Sequence, residues 1–182
     1  APRLIYYTNP GNVPTTSNTV RSKLIEEVNN LEHKSGTPIV DSLYEAALYY
    51  RGDAVDYGKT RGSGSSSQAD TRVSHPASYT GGTLVQPTGC SGENLGSSAC
   101  SGEEITGTPM YTSPISQSCQ SNHIVLLTDG QASVNTSAAK VLAMTGAASC
   151  VDSGSEACGS ELVSYLKNSD QHSLVNNQTI TT

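Results

Sequence analysis

The chain has 182 residues, of which 35% are hydrophobic and 14% charged, with a formal net charge of −6. That length suffices for one domain with its own core, and an acidic balance without any basic cluster argues against nucleic acid or an anionic membrane as partner. No apolar run reaches the roughly 20 residues of a membrane-spanning helix, and with neither Trp nor Phe present, nine tyrosines must supply the aromatic part of any core.

Abundant Ser, Thr, Gly and Asn with little Lys suit an extracytoplasmic protein. The start at Ala1 rather than Met leads us to expect a processed or excised piece. Arg3-Leu4-Ile5-Tyr6-Tyr7 reads as a short strand closed by the turn residues Asn9-Pro10-Gly11. Val20, Leu24, Val28 and Leu31 then recur at helical spacing.

Gly36-Thr37-Pro38 opens a second helix. Pro38 suits the first helical position, where its missing N–H costs nothing, which puts Thr37 at the N-cap and Asp41 in the first turn. Ile39, Leu43, Ala46, Ala47 and Tyr50 form its apolar face, and it is expected to run to about Arg51. Thr37 has two readings, a capping hydroxyl or an oxygen ligand for Mg²⁺ held at a helix start.

From Gly52 to about Ser121 the periodicity vanishes. Gly62-Ser63-Gly64-Ser65-Ser66-Ser67 is linker-like, but Val73, Tyr79, Leu84-Val85 and Met110-Tyr111 supply anchors. The segment 52–121 is therefore expected to be an ordered insertion draped over an α/β core.

Ile124-Val125-Leu126-Leu127, ending in Thr128-Asp129-Gly130, is the most informative stretch. It reads as a strand buried on both faces, with Asp129 at the strand end where open α/β sheets place their ligands. Asp129 is either a turn former or a hard-metal ligand. A helix is expected over about Ser137–Thr145 with Gly146 as its stop, a second over Glu161–Lys167, and a strand beginning in Thr179–Thr182.

Of the five cysteines, none forms the close pairs of a zinc site. Cys90 with Cys100, and Cys150 with Cys158, lie near one another in Gly/Ser-rich segments, where short disulfides would restrain loops in an oxidising compartment. Cys119 is left over, either buried and free or paired outside the chain. Arg51-Gly52-Asp53 matches the tripeptide that integrins recognise, although Arg51 and Gly52 also suit a helix terminus. His33, His75, His123 and His172 are scattered singly, and there is no nucleophile elbow or phosphate loop, so nothing points to an enzyme.

In this order, the pieces resemble a von Willebrand factor A domain, and more closely the A domain of PilC/PilY-type tip adhesins of bacterial type IV pili. The residues that carry the resemblance are Gly36-Thr37-Pro38-Ile39-Val40-Asp41-Ser42-Leu43-Tyr44-Glu45-Ala46, Tyr49-Tyr50-Arg51-Gly52, Arg72-Val73-Ser74-His75-Pro76, Tyr111-Thr112-Ser113-Pro114-Ile115, Ser118-Cys119-Gln120, Thr128-Asp129-Gly130 and Cys158-Gly159-Ser160-Glu161-Leu162. The resemblance implies a doubly wound, Rossmann-like α/β fold with a long cysteine-containing insertion. It also implies a metal-ion-dependent adhesion site for Mg²⁺, Mn²⁺ or Ca²⁺, with Thr37 and Asp129 as ligands.

The family's Asp-x-Ser-x-Ser loop has no counterpart here, and neither has the strand expected after Thr182, so the chain looks like the inner portion of such a domain, incomplete at both termini. A hard divalent ion takes about six oxygens; two protein ligands predict weak binding by this piece alone. The family further implies an extracellular place at the cell surface or pilus tip, associated with the outer membrane during assembly. Its implied partners are minor pilins and a host-cell or surface ligand offering an acidic group. The alternative reading is a structural piece that self-associates into filaments by strand complementation.

Overall fold

The computed structural model describes residues 36–60, 73–90, 102–128 and 130–182. Contacts divide the chain into two units, Ala1–Lys34 and Ser35–Thr182, and every described residue belongs to the second. The expected strand at Arg3–Tyr7 and the helix at Val20–Leu31 lie outside the described residues.

Helix α1 (Ile39–Arg51) is the shared wall of two apolar clusters. Val40, Leu43 and Ala47, at the i, i+3, i+7 spacing of one helical face, pack with Val141, Cys158, Leu162, Leu166 and Ile180. Leu48 faces the second cluster, with Val55, Val73, Tyr79, Ile105 and Tyr111. Gly52 ends the helix as expected. It takes φ +73°, and the following N–H, that of Asp53, donates to Leu48 O at 3.0 Å.

The start of α1 differs from expectation. Pro38, at φ −85° and ψ 62°, is itself the cap residue, and no side chain caps the helix. Thr37 lies one position further out. With Pro38 in the cap position no hydroxyl is there to accept from the first-turn N–H groups, and the Thr37 carbonyl instead accepts from Ile39 N–H at 3.1 Å.

The insertion contains a β-hairpin that the sequence pattern does not announce. β1 (Tyr79–Val85) pairs antiparallel with β2 (Glu104–Tyr111), from Tyr79 opposite Tyr111 to Val85 opposite Glu104, with an irregularity between Thr80 and Gly82. The glycines that read as loop are what let these strands approach. A Cβ at Gly82 would lie 2.7 Å from Ile105 Cγ2, and Gly81 takes φ +74°. The hairpin packs on α1 through Tyr79, Ile105 and Tyr111, and the Tyr49 and Tyr111 rings meet edge to face at 5.5 Å.

The strand expected at Ile124–Leu127 is far shorter than its apolar run. β3 (Asn122–His123) pairs in parallel with β4 (Ile180–Thr181), and Ile124 N–H adds one more bond, to Thr181 O at 2.8 Å. Beyond that, Val125 is 82% exposed and Leu127 91%, so the expectation of a strand buried on both faces fails from Val125 onward. Burial of such a run needs neighbours on both edges and both faces. Among the described residues β4, two residues long, is the one strand that pairs with it.

Helix α2 (Ala138–Thr145) ends at Gly146, which takes φ +72°, as read from sequence, and α3 (Gly159–Asn168) is slightly longer than expected. Both close over the first cluster through Val141, Leu162 and Leu166. Cys150 and Cys158 form a disulfide, and Cys90 is also disulfide-bonded, whereas Cys100 lies outside the described residues. Cys119 is free and exposed rather than buried. The described unit is thus mixed α/β, with one antiparallel and one parallel two-stranded sheet. Among the described residues no helix is long and apolar enough to cross a membrane.

Candidate functional site

The start of α1 and the loop that follows β3 are 96 residues apart in sequence and adjacent in space. Thr37 N–H donates to Ser133 Oγ at 2.7 Å, and Ser133 N–H donates back to Thr37 O at 3.1 Å. Gly36, at φ +97°, leaves room for Val134, whose Cγ2 would lie 3.5 Å from a Cβ placed there. The loop therefore lies against the segment Gly36–Pro38.

One turn into the helix, a second link repeats the pairing. Asp41, 7% exposed, accepts Thr136 N–H on Oδ1 at 2.8 Å and the Thr136 hydroxyl on Oδ2 at 3.1 Å. Tyr57 OH shares hydrogen bonds with the Thr136 and Ser137 hydroxyls, and Asn135 Nδ2 donates to Ala157 O at 2.8 Å. Lys140, paired with Asp56 at 2.6 Å, lies 4.0 Å over the Tyr57 ring. Sequence reasoning placed Asp41 only as a dipole partner in a first helical turn, and passed over Ser133 and Thr136 as members of a polar loop. Their one visible signal was their position just downstream of Thr-Asp-Gly.

The Thr37 hydroxyl itself is uncommitted. The residue is half-buried, and among the described residues its Oγ1 takes part in no hydrogen bond. Asp129, the other sequence-derived ligand, lies outside the described residues. Of its described neighbours, Gly130 N–H donates to Thr128 Oγ1 at 3.2 Å and the Thr128 hydroxyl donates to Gly130 O at 2.8 Å. Among the described residues no three His, Cys, Asp or Glu side chains gather. What the described residues present here is one hydroxyl oxygen, that of Thr37, a donor type that suits a hard divalent cation.

The Arg51-Gly52-Asp53 tripeptide is folded on itself. Arg51 Nε pairs with Asp53 Oδ2 at 2.6 Å, while Nη1 donates to Tyr165 OH at 3.0 Å and Gln171 Oε1 at 3.1 Å. The guanidinium also lies 5.7 Å from the Tyr165 ring centre. His75 Nδ1 accepts from Ala77 N–H and His172 Nδ1 from Leu174 N–H, both local turn contacts.

No protein-family model, curated protein or solved structure matches this chain.

Proposed function

We propose that this chain is a non-enzymatic recognition module of a bacterial surface adhesin, of the PilC/PilY tip-adhesin type, built on a doubly wound von Willebrand factor A fold. In this reading it acts outside the cell at the pilus tip, meets minor pilins during assembly, and binds an acidic group on a host-cell or surface ligand. The observation that carries the reading is the reciprocal pairing of Thr37 with Ser133. It supports the resemblance by bringing an unbonded hydroxyl beside the loop that carries Asp129. Thr37 and Asp129 would hold a divalent cation, which would supply positive charge for the partner's carboxylate. With only two protein ligands, the expected dissociation constant is on the order of 10⁻⁴–10⁻³ M, the weak end of known calcium modules.

The test is Mn²⁺ binding followed by electron paramagnetic resonance on the wild type, Thr37→Ala and Asp129→Ala. A bound signal that both substitutions remove is the expected result. Binding that neither changes overturns the assignment.

A second reading, self-association by strand complementation, is favoured by the bare edge of Val125–Leu127. A groove of about 580 Å³ continues beside Leu126, walled by Ile39, Val40 and Leu43 of α1 and Val163 of α3.

A further inference from the structure

We propose that a second copy of this chain pairs antiparallel with the edge Val125–Leu127, about a two-fold axis through Leu126, to give a closed dimer. This rests on the self-association reading above and makes its product a pair rather than a filament.

The segment keeps the period of a strand after its ladder ends. Ile124 packs against the first apolar cluster and Leu126 is 40% exposed, whereas Val125 and Leu127 are 82% and 91% exposed. Side chains of an extended strand alternate in this way, and its backbone polar groups alternate between the two edges. Ile124 N–H is spent on Thr181 O of β4, so the groups of Val125 and Leu127 point to the opposite edge. Among the described residues they make no hydrogen bond there. Upstream that same edge is closed, because Tyr50 OH donates to His123 O at 2.8 Å.

These limits select one register. With the axis at Leu126, Val125 of each copy faces Leu127 of the other and exchanges both backbone bonds with it, while the two Leu126 residues meet as a non-hydrogen-bonded pair. Every facing pair is apolar, and no charge opposes its like. An axis moved to Ile124 or Val125 would call on His123 O, which Tyr50 holds. An axis moved to Leu127 or Thr128 would set Val125 or Leu127 opposite Asp129 in the sequence.

Both faces of the pair then agree. Residues opposite one another share a face, so Leu126 of the second copy joins Leu126 beside the groove walled by Ile39, Val40, Leu43 and Val163. Val125 and Leu127 of both copies cover one another on the other face. A contact of this isologous kind uses up the same edge in each copy, and assembly stops at two, whereas a head-to-tail contact would continue into a filament.

The experiment is disulfide trapping in a Cys119→Ser background, since Cys119 is free and exposed. Val125→Cys, Leu126→Cys and Leu127→Cys are made singly, and the association of each reduced variant is read by sedimentation. Residues in a non-hydrogen-bonded pair stand about 4.5 Å apart at Cα, inside the disulfide window of about 4.4–6.8 Å. Residue 125 of one copy and residue 125 of the other are offset by two positions, about 6.8 Å along the strand, which with the roughly 4.8 Å between strands exceeds that window. The same holds for residue 127. Under diamide, Leu126→Cys should therefore form covalent dimers about tenfold or more faster than either neighbour alone. Val125→Cys mixed with Leu127→Cys should crosslink one to the other, and sedimentation of the wild type should reach its limit at two chains.

If the variants associate but Leu126→Cys crosslinks no faster than its neighbours, the two-fold axis is overturned while self-association stands. Species that grow beyond two chains with concentration overturn the closed pair in the same way. A wild type that is monomeric at every concentration removes the self-association reading itself, and this inference with it.

Discussion

Glu45 and Tyr111 meet in a 2.6 Å hydrogen bond that ties the hairpin to α1. The same Glu45 carboxylate also accepts the backbone N–H groups of Asp56 at 3.2 Å, Tyr57 at 2.9 Å and Gly58 at 2.9 Å. Four donors from two segments thus converge on one side chain.

Removing that acceptor leaves several half-buried donors with no partner. Glu45→Ala should cost about 2–3 kcal/mol of stability, because an orphaned donor loses its full solvation. Tyr111→Phe should cost about 1 kcal/mol, since the three amides still hold the carboxylate in place. Chemical denaturation midpoints at constant m-value measure both, and equal losses would show that the phenol rather than the carboxylate organises this junction.

Tyr111 also sets an alkaline limit. Burial, then its bond to Glu45, push its ionisation well above the ordinary tyrosine value, and burial raises Tyr44 and Tyr79 as well. A raised tyrosine value means that the folded state keeps a proton the unfolded chain gives up. The stabilisation is complete below the unfolded value of about 10 and is lost as pH rises beyond it. Tyrosinate absorbance should therefore show a late group that appears together with unfolding above about pH 10. A smooth titration of all nine tyrosines near the ordinary value, with the fold intact, would contradict it.

How far the sequence was legible follows from what each element depends on. Gly52 and Gly146 announced helix ends because a positive φ is a local requirement. Cys150 and Cys158 announced a bridge because short spacing in a Gly/Ser-rich segment leaves few alternatives. The hairpin was not legible, since Gly81, Gly82 and Gly107 serve close strand approach, a tertiary demand that looks like loop composition in one dimension. The Val125–Leu127 run misled for the opposite reason. Its composition reports what a strand is suited to, whereas its burial depends on neighbours that the run itself does not encode. At the site, Thr37 was read as the N-cap, a position that Pro38 takes, and Ser133 and Thr136 were not read at all, because the links they make cross nearly a hundred residues.

Arg51 and Asp53 satisfy one another, and a receptor reading the two side chains separately would first have to break that pair together with the bonds to Tyr165 and Gln171. Asp53→Glu should accordingly leave the spreading of integrin-bearing cells unchanged. Arg51→Ala should lower stability by about 1–2 kcal/mol through the lost hydrogen bonds. Spreading that Asp53→Glu abolishes would establish the tripeptide as a ligand.

The bridge from Cys150 to Cys158 closes a loop eight residues apart in sequence directly before α3, and Cys158 is fully buried in the first cluster. Chain-entropy reasoning assigns a loop this short about 2.5 kcal/mol. Replacing both cysteines with serine should cost at least that, because the Cys158 position has no polar partner waiting. Thermal melts of the double variant beside the reduced wild type separate the two contributions. A reduced wild type that melts with the oxidised form would assign the whole loss to packing.

Val125 and Leu127, exposed at 82% and 91%, sit beyond the last bond of the β3–β4 ladder, and among the described residues their backbone groups make no hydrogen bond. Edges of this kind pair with other chains unless charge or proline blunts them. The wild type should therefore sediment as a concentration-dependent mixture of species. Val125→Lys with Leu127→Lys should return it to monomer, because a second copy would then have to bury like charges against the edge. Since both side chains are already solvated, the cost to folding should stay within about 0.5 kcal/mol, which separates loss of association from loss of structure. A wild type that remains monomeric at every concentration leaves the edge without a role in assembly and favours the metal-bridged module.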